Sequence, residues 1–268
     1  MSSSISTESL WIDTPQGRLF CCRWFPAGEV QRAKKPPVVL FHDSLGCIAL
    51  WRDFPQLLSQ ATGREVIAYD RLGFGRSDVY PGTLPLEFIR DEAERFFAWV
   101  KTALQLDRFV ALGHSVGGGM AAACASIYAQ QCTALITIAA QAFVEDRTLQ
   151  GIREAEAQFE NPAHMARLEK YHADKAPWVL GAWTKTWLAP AFNDWKIESA
   201  IDEIRCPTLV LHGEHDEYGS VKHPEHIATL SKGPSECLIL DGCHHVPHRE
   251  APEVVVAVVG KFLAERGQ

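Results

Sequence analysis

The stretch Phe109 to Ala123, FVALGHSVGGGMAAA, constrains this chain more than any other. An apolar run, Phe109 to Leu112, ends at Gly113. Ser115 follows, then Val116 and the glycines Gly117, Gly118 and Gly119. Small residues run on from Met120. The pattern predicts a strand, a sharp turn and a helix, with Gly-x-Ser-x-Gly spacing at Gly113, Ser115 and Gly117. A serine on so tight a turn sits in strained backbone, so the residues two positions either side must lack a Cβ. The strain would lift the hydroxyl above a sheet edge. It would also aim the next N–H and the helix N-terminus at whatever binds there. A Gly-rich turn with a capping serine has the same pattern, so the rest of the chain must decide.

That rest alternates strands with helices. Ser9 to Asp13 and Arg18 to Trp24, split by Pro15-Gln16-Gly17, read as a hairpin. Gly28 to Pro37 is a charged connection. Continuous apolar runs at 37–41, 66–69, 135–139 and 206–211 read as strands buried on both faces, and 237–240 as another. Helices are expected at about 48–61, 86–104, 223–232 and 252–266. The rhythm breaks between 142 and 195. That block reads as helices only and carries Trp178, Trp183, Trp187 and Trp195, half of the tryptophans. The expected fold class is α/β: a mostly parallel central sheet with helices on both faces, formed by residues 1–141 and 196–268, plus an inserted helical cap, 142–195. Ligand sites in such sheets lie at the carboxyl ends of strands.

Composition narrows the partners. A net charge of −7 and a pI near 5.9 argue against binding nucleic acid. No apolar run approaches a membrane span. The polar MSSSISTESLWIDT lacks a secretory leader, which points to a cytoplasmic protein. The eight cysteines then read as buried thiols rather than disulfides. Cys47 and Cys243 flank the motifs below and are the candidates for an oxidation-sensitive thiol near the site.

A serine nucleophile needs a base and a group to orient that base. The strand at 208–211 empties into His212-Gly213-Glu214-His215-Asp216, and 237–240 into Asp241-Gly242-Cys243-His244-His245-Val246-Pro247-His248. The order Ser, acid, His is that of the elbow motif. On residues alone, Glu214 and Asp241 rival Asp216, and His244 and His248 rival His245. A zinc reading of these histidines lacks any recognised ligand spacing, so neither metal nor cofactor is expected.

The sequence resembles the α/β-hydrolase fold family, in its serine-nucleophile branch with a helical lid after the sixth strand. The strand ending in His42 resembles the family's His-Gly oxyanion loop. Residues Asp70 to Ser77 resemble its D-x-R-G-x-G-x-S loop, with Arg71 and Leu72 in swapped order. His212 to Asp216 match its acid loop, and His245 onward, with Glu250, Pro252 and Glu253, its G-H-x-P-x-x-E-x-P-E ending. The resemblance implies Ser115 as nucleophile, Asp216 as acid and His245 as base, with Val116 and Ser44 N–H groups as oxyanion donors. The chain departs at Asp43, where the family has glycine. A carboxylate there should point away from a developing oxyanion or pair with Arg71 or Arg76; capping the turn is the plainer role. His42, Asp43, Trp178, Trp183 and Trp187 are expected to line the substrate pocket, and His164 and His172 to lie on the lid surface. The implied activity is hydrolysis of a small-to-medium apolar carboxylic ester or lactone. Cleavage of a carbon–carbon bond in a vinylogous diketone, anchored by Arg71, Arg76 or Arg153, is the alternative, and a ligand receptor with weak turnover a third. The expected partner is a small molecule, for a monomer or homodimer.

Overall fold

The computed structural model describes residues 5–26 and 35–266. The first strands, β1 (Ser6–Thr14) and β2 (Gly17–Phe25), form the expected hairpin, with Thr14 opposite Gly17. Most of the charged connection expected at 28–37 lies outside the described residues. Six further strands follow: β3 (Val38–Phe41), β4 (Val66–Tyr69), β5 (Phe109–His114), β6 (Cys132–Ile138), β7 (Thr208–Gly213) and β8 (Ser235–Leu240). The sheet order is β1-β2-β4-β3-β5-β6-β7-β8. The β1–β2 and β2–β4 pairs are antiparallel, and every pair from β4 to β8 is parallel. Strands β3, β4, β5 and β7 are buried along their whole length, as their continuous apolar runs require.

Strand alternation divides the core in two. Val39, Phe41 and Ala111 face one side and pack on Phe97, Met120 and Ala121 to Ala123. Val38, Leu40, Val110 and Leu112 face the other and pack on Phe54, Leu58, Val259 and Phe262. The first side is covered by α2 (Phe88–Asp91), α3 (Phe97–Ala103) and α4 (Val116–Ile127). The second side carries α1 (Phe54–Thr62). Losing a side chain such as Leu58 would cost about 2–5 kcal/mol, because a packed interior closes only partly around the hole.

Two helices differ from expectation. The one expected over 48–61 breaks into a 3-10 turn, Ile48–Trp51, and α1. Pro55 lacks an N–H, so it starts a helix rather than continuing one. The one expected over 86–104 contains a π segment, Glu92–Phe96, between α2 and α3. Glu92 is buried there, accepts a 2.8 Å hydrogen bond from Tyr69 Oη, and is pushed up to about 7 by burial.

Between β6 and β7 the chain forms α5 (Asp146–Gln158), α6 (Pro162–His172) and α7 (Ala176–Trp187) with short 3-10 turns. An antiparallel bridge, Phe143 to Lys196, closes the block at its base. His172 is not a surface residue. Its ring is fully buried, takes a hydrogen bond from Gly75 N at 2.8 Å and gives one to Leu45 O at 3.0 Å. It ties the end of α6 to two loops of the sheet edge. The remaining helices are α8 (Lys222–Leu230), α9 (Pro247–Glu250) and α10 (Pro252–Arg266). Among the described residues no helix is long and apolar enough to cross a membrane. Cys21, Cys47, Cys124, Cys132, Cys206 and Cys243 are buried as expected, whereas Cys22 is half-buried and Cys237 exposed.

Candidate active site

The turn between β5 and α4 has the strain its glycines imply. Ser115 takes φ 55°, ψ −128°, a conformation that L residues with a Cβ seldom adopt. A Cβ on Gly113 would collide with the backbone of Gly117, and one on Gly117 with the carbonyl of Phe41. The glycines are needed because α4 presses onto the ends of β5 and β3. Ser115 N is fixed by Ile138 O, and Ser115 O accepts from Gly118 N.

The expected acid and base follow β7 and β8, two and three strands along the sheet from β5. His245 Nδ1 lies 2.9 Å from both carboxylate oxygens of Asp216. Asp216 is 1% exposed and accepts backbone N–H bonds from Tyr218 (2.8 Å) and Gly219 (3.1 Å). Burial pushes its pKa up, but the charge and hydrogen bond of His245 more than offset this and leave it below the usual range. For His245 burial opposes the charged ring and the Asp216 carboxylate favours it; the carboxylate wins, and the pKa rises. With Nδ1 committed, Nε2 is the nitrogen left to act as base. The rivals lie elsewhere. Glu214 accepts from Gly242 N, His244 is exposed, and His248 is buried against Trp51 and Phe54. His212 donates from Nε2 to Gly219 O at 3.1 Å and so braces the acid loop.

Ser115 and His245 line one cavity of about 230 Å³, with Asp43, Ser44 and Leu45 on one side and Thr148, Ile152, Trp183 and Trp187 from the helical block above. The Ser115 hydroxyl donates to Gln141 Oε1 at 3.3 Å rather than to His245, so reaction requires that this hydroxyl reorient. Val116 opens α4, where first-turn N–H groups have no helical partner, and Ser44 lies on the cavity wall.

Three expectations need correction. His42 does not reach this cavity. Its Nδ1 donates to Asp43 O at 2.9 Å, its Nε2 accepts from Arg71 N at 3.1 Å, and its ring packs on Phe74. Trp178 also lies outside it, stacked on Tyr80 with its indole N–H on Gly82 O. Trp183 and Trp187 are one helical turn apart and share a face, whereas Trp178 is five residues back and is rotated away. Asp43 pairs with neither arginine side chain through its carboxylate. Its Oδ2 lies 3.3 Å from His114 Nδ1, and Arg71 donates only to its backbone oxygen. Burial holds the Cys47 thiol up at about 12, which removes it as a reactive thiolate.

Gln141, Tyr218 and Glu217 also line the cavity, and sequence reasoning passed over them. Gln141 stands three residues beyond the end of β6, at the sheet edge where ligand sites lie. Tyr218 follows Asp216 by two and packs on His245, with ring centroids 4.7 Å apart and the planes inclined at 60°. Among the described residues no three His, Cys, Asp or Glu side chains gather as metal ligands.

A profile of the family described as alpha/beta hydrolase fold matches residues 36–183, more than half of the chain. The chain is similar to 1-acylglycerol-3-phosphate O-acyltransferase ABHD5 of Rattus norvegicus, 36% identical over 115 residues, which are 42% of this chain and 32% of that one. It thus spans about a third of that relative's length. Among solved structures, the proline iminopeptidase of Mycobacterium smegmatis superposes with a TM-score of 0.73 at 20% identity, over 97% of this chain and 99% of that one. The 2-hydroxy-6-oxo-6-phenylhexa-2,4-dienoate hydrolase of Rhodococcus sp. strain RHA1 does so with 0.71 at 16%, over 97% and 100%. These two are likenesses of fold.

Proposed function

Because the chain belongs to the α/β-hydrolase fold family, we propose that it is a serine hydrolase that cleaves a small-to-medium, uncharged carboxylic ester or lactone through an acyl-enzyme on Ser115. One observation carries this reading: the Asp216–His245 pair opens, through its unused nitrogen, onto the apolar cavity that holds Ser115. In the reaction Ser115 Oγ attacks the carbonyl carbon while His245 Nε2 takes its proton. The Val116 and Ser44 N–H groups stabilise the oxyanion. His245 then gives the proton to the departing alkoxide, and water, deprotonated by the same nitrogen, releases the acid. Asp216 keeps Nδ1 protonated and stabilises the imidazolium. No metal or organic cofactor enters these steps.

Substrate class follows from the lining. Trp183, Trp187, Ile152 and Leu45 suit an apolar acyl group, and the volume suits a small one. Among the described residues no lysine or arginine lines the cavity. Arg71 stacks over Phe74 and Arg76 over Phe20, so neither is placed to anchor a substrate carboxylate. That disfavours the diketone alternative, whose substrate carries one.

A panel of chromogenic esters, lactones and an anionic diketone tests this. Multiple turnover on neutral esters or lactones, abolished in Ser115→Ala, is expected, with phosphonate labelling at Ser115. An unlabelled Ser115 would overturn the mechanism. Labelling without turnover would favour the receptor reading, and preference for the diketone would overturn the substrate class.

A further inference from the structure

Behind the catalytic histidine lies a second carboxylate–histidine pair. His114 precedes the nucleophile and is 2% exposed. Its Nε2 is 2.8 Å from the backbone oxygen of His245, and its Nδ1 is 3.3 Å from Asp43 Oδ2. A carbonyl only accepts, so Nε2 carries a hydrogen; Nδ1 faces a second acceptor, so the ring is satisfied on both sides only when doubly protonated. Burial pushes the Asp43 carboxyl up, but the hydrogen bond and charge of His114 hold it well below the usual carboxylate range. The other charged or titratable neighbours are His42 and His245, then His248, whose ring centroid is 4.6 Å from that of His114, and Arg249 beyond it.

The position of this pair gives it a consequence. Asp43 stands beside Ser44 on the wall of the main cavity, where a bare carboxylate would oppose a developing oxyanion. Its other oxygen, Oδ1, is buried without a partner and turned toward Gly46, where any Cβ would collide with it. That oxygen faces a rear cavity of about 10 Å³, also lined by Trp51 and His248, whose Nε1 and Nδ1 likewise lack partners. Oδ1 is thus turned into the protein, while the side chain as a whole remains 31% exposed. His114 joins three strand-end loops: its own at the nucleophile, that of Asp43 after β3, and that of His245 after β8.

We propose that Asp43 and His114 are positioning residues: an ion pair of a buried histidine and a half-buried carboxylate, in which the imidazolium neutralises a charge beside the oxyanion site and holds the backbone of the catalytic base. The proposal rests on Ser115 and His245 being the nucleophile and base. Asp43 is compatible with turnover only while His114 is charged opposite it. Removing the histidine alone is therefore more harmful than removing both partners.

A double-mutant cycle on kcat tests this. His114→Gln is expected to lower kcat on the order of 30-fold with little change in KM. Asp43→Asn, which leaves no carboxylate to neutralise, should cost less than His114→Gln, and the double variant should recover most of the His114→Gln loss. A double variant as slow as His114→Gln, or slower, overturns the proposal, since a purely structural role predicts no rescue. Should His114→Gln not fold, 15N-histidine NMR of the parent protein decides: two protonated ring nitrogens on His114 at pH 7 support the pair, and a neutral ring overturns it. Phosphonate labelling of the parent separates the two layers. A labelled Ser115 with an additive cycle sinks this inference alone, and an unlabelled one sinks the nucleophile assignment beneath it.

Discussion

Two carboxylate–histidine pairs flank the elbow serine, and they are built differently. Asp216 has both oxygens on His245 Nδ1 and receives two further backbone N–H bonds. Asp43 meets its histidine through one oxygen, at 3.3 Å, and leaves the other without a partner. The larger contrast is at the far nitrogen. In His245 it remains available to the cavity; in His114 it is spent on a backbone carbonyl. Burial beside a carboxylate does not make a histidine a base. An uncommitted nitrogen facing the substrate does.

Replacing the nucleophile should separate the two pairs most sharply. Ser115→Ala is expected to lower kcat by at least about 10⁴-fold with both pairs intact, read as steady-state ester hydrolysis. Next comes Asp216→Asn, for which a loss of about 10³- to 10⁴-fold is expected, because the ring of His245 then loses the partner that fixes its tautomer. A loss from Asp43→Asn of similar size would erase the distinction drawn here.

pH should distinguish the pairs more finely. The pKa of His245 is raised above 6.5, chiefly because the pull of Asp216 exceeds the cost of burial. The base works when neutral, so kcat/KM should rise with pH along a limb centred above 6.5, and Asp216→Asn should move that limb down. In stability the signs oppose. The raised His245 contributes at low pH, and this is lost as pH rises through its folded value. The lowered Asp216 contributes above the usual carboxylate range, and this is lost as pH falls. The pair therefore stabilises the fold most between those two values, and urea titrations across pH report it.

The smallest effects concern the tryptophans. Trp183→Ala should raise KM about 10-fold on apolar esters with little change in kcat, as lost apolar contact removes ground-state and transition-state binding alike. Trp178→Ala should leave KM unchanged and lower Tm by a few degrees instead, roughly the shift from about 1–2 kcal/mol in a chain this long.

The sequence carried more of the chemistry than of the enclosure. Gly113, Ser115 and Gly117 could be read because three backbones approach so closely there that residue type is dictated locally. The strands could be read because burial on both faces leaves unbroken apolar runs. The neighbours of Asp43 could not, because His114 is brought to it from a strand far along the chain, and nothing near Asp43 encodes that. The burial of His172 was hidden for the same reason: its partners, Gly75 and Leu45, lie 97 and 127 residues away. Trp178 was misplaced by an error of phase, since the count from Trp183 already turned it off the shared face. Pro55, which divides the helix expected over 48–61, is a helix-start signal that the sequence does carry.

The sheet order also has a consequence in time. His245 follows its contact His114 by 131 residues, and β8, which leads to it, is an edge strand exposed over Ser235–Leu238. A ribosome adding roughly 5–20 residues per second delivers the nucleophile on the order of ten seconds before its base. The nascent chain thus carries an inert serine until the last strand docks. The same edge is where the folded sheet has least to lose by opening. Under mild denaturant, the proposed hydrolase activity should vanish while most of the helical signal in circular dichroism persists.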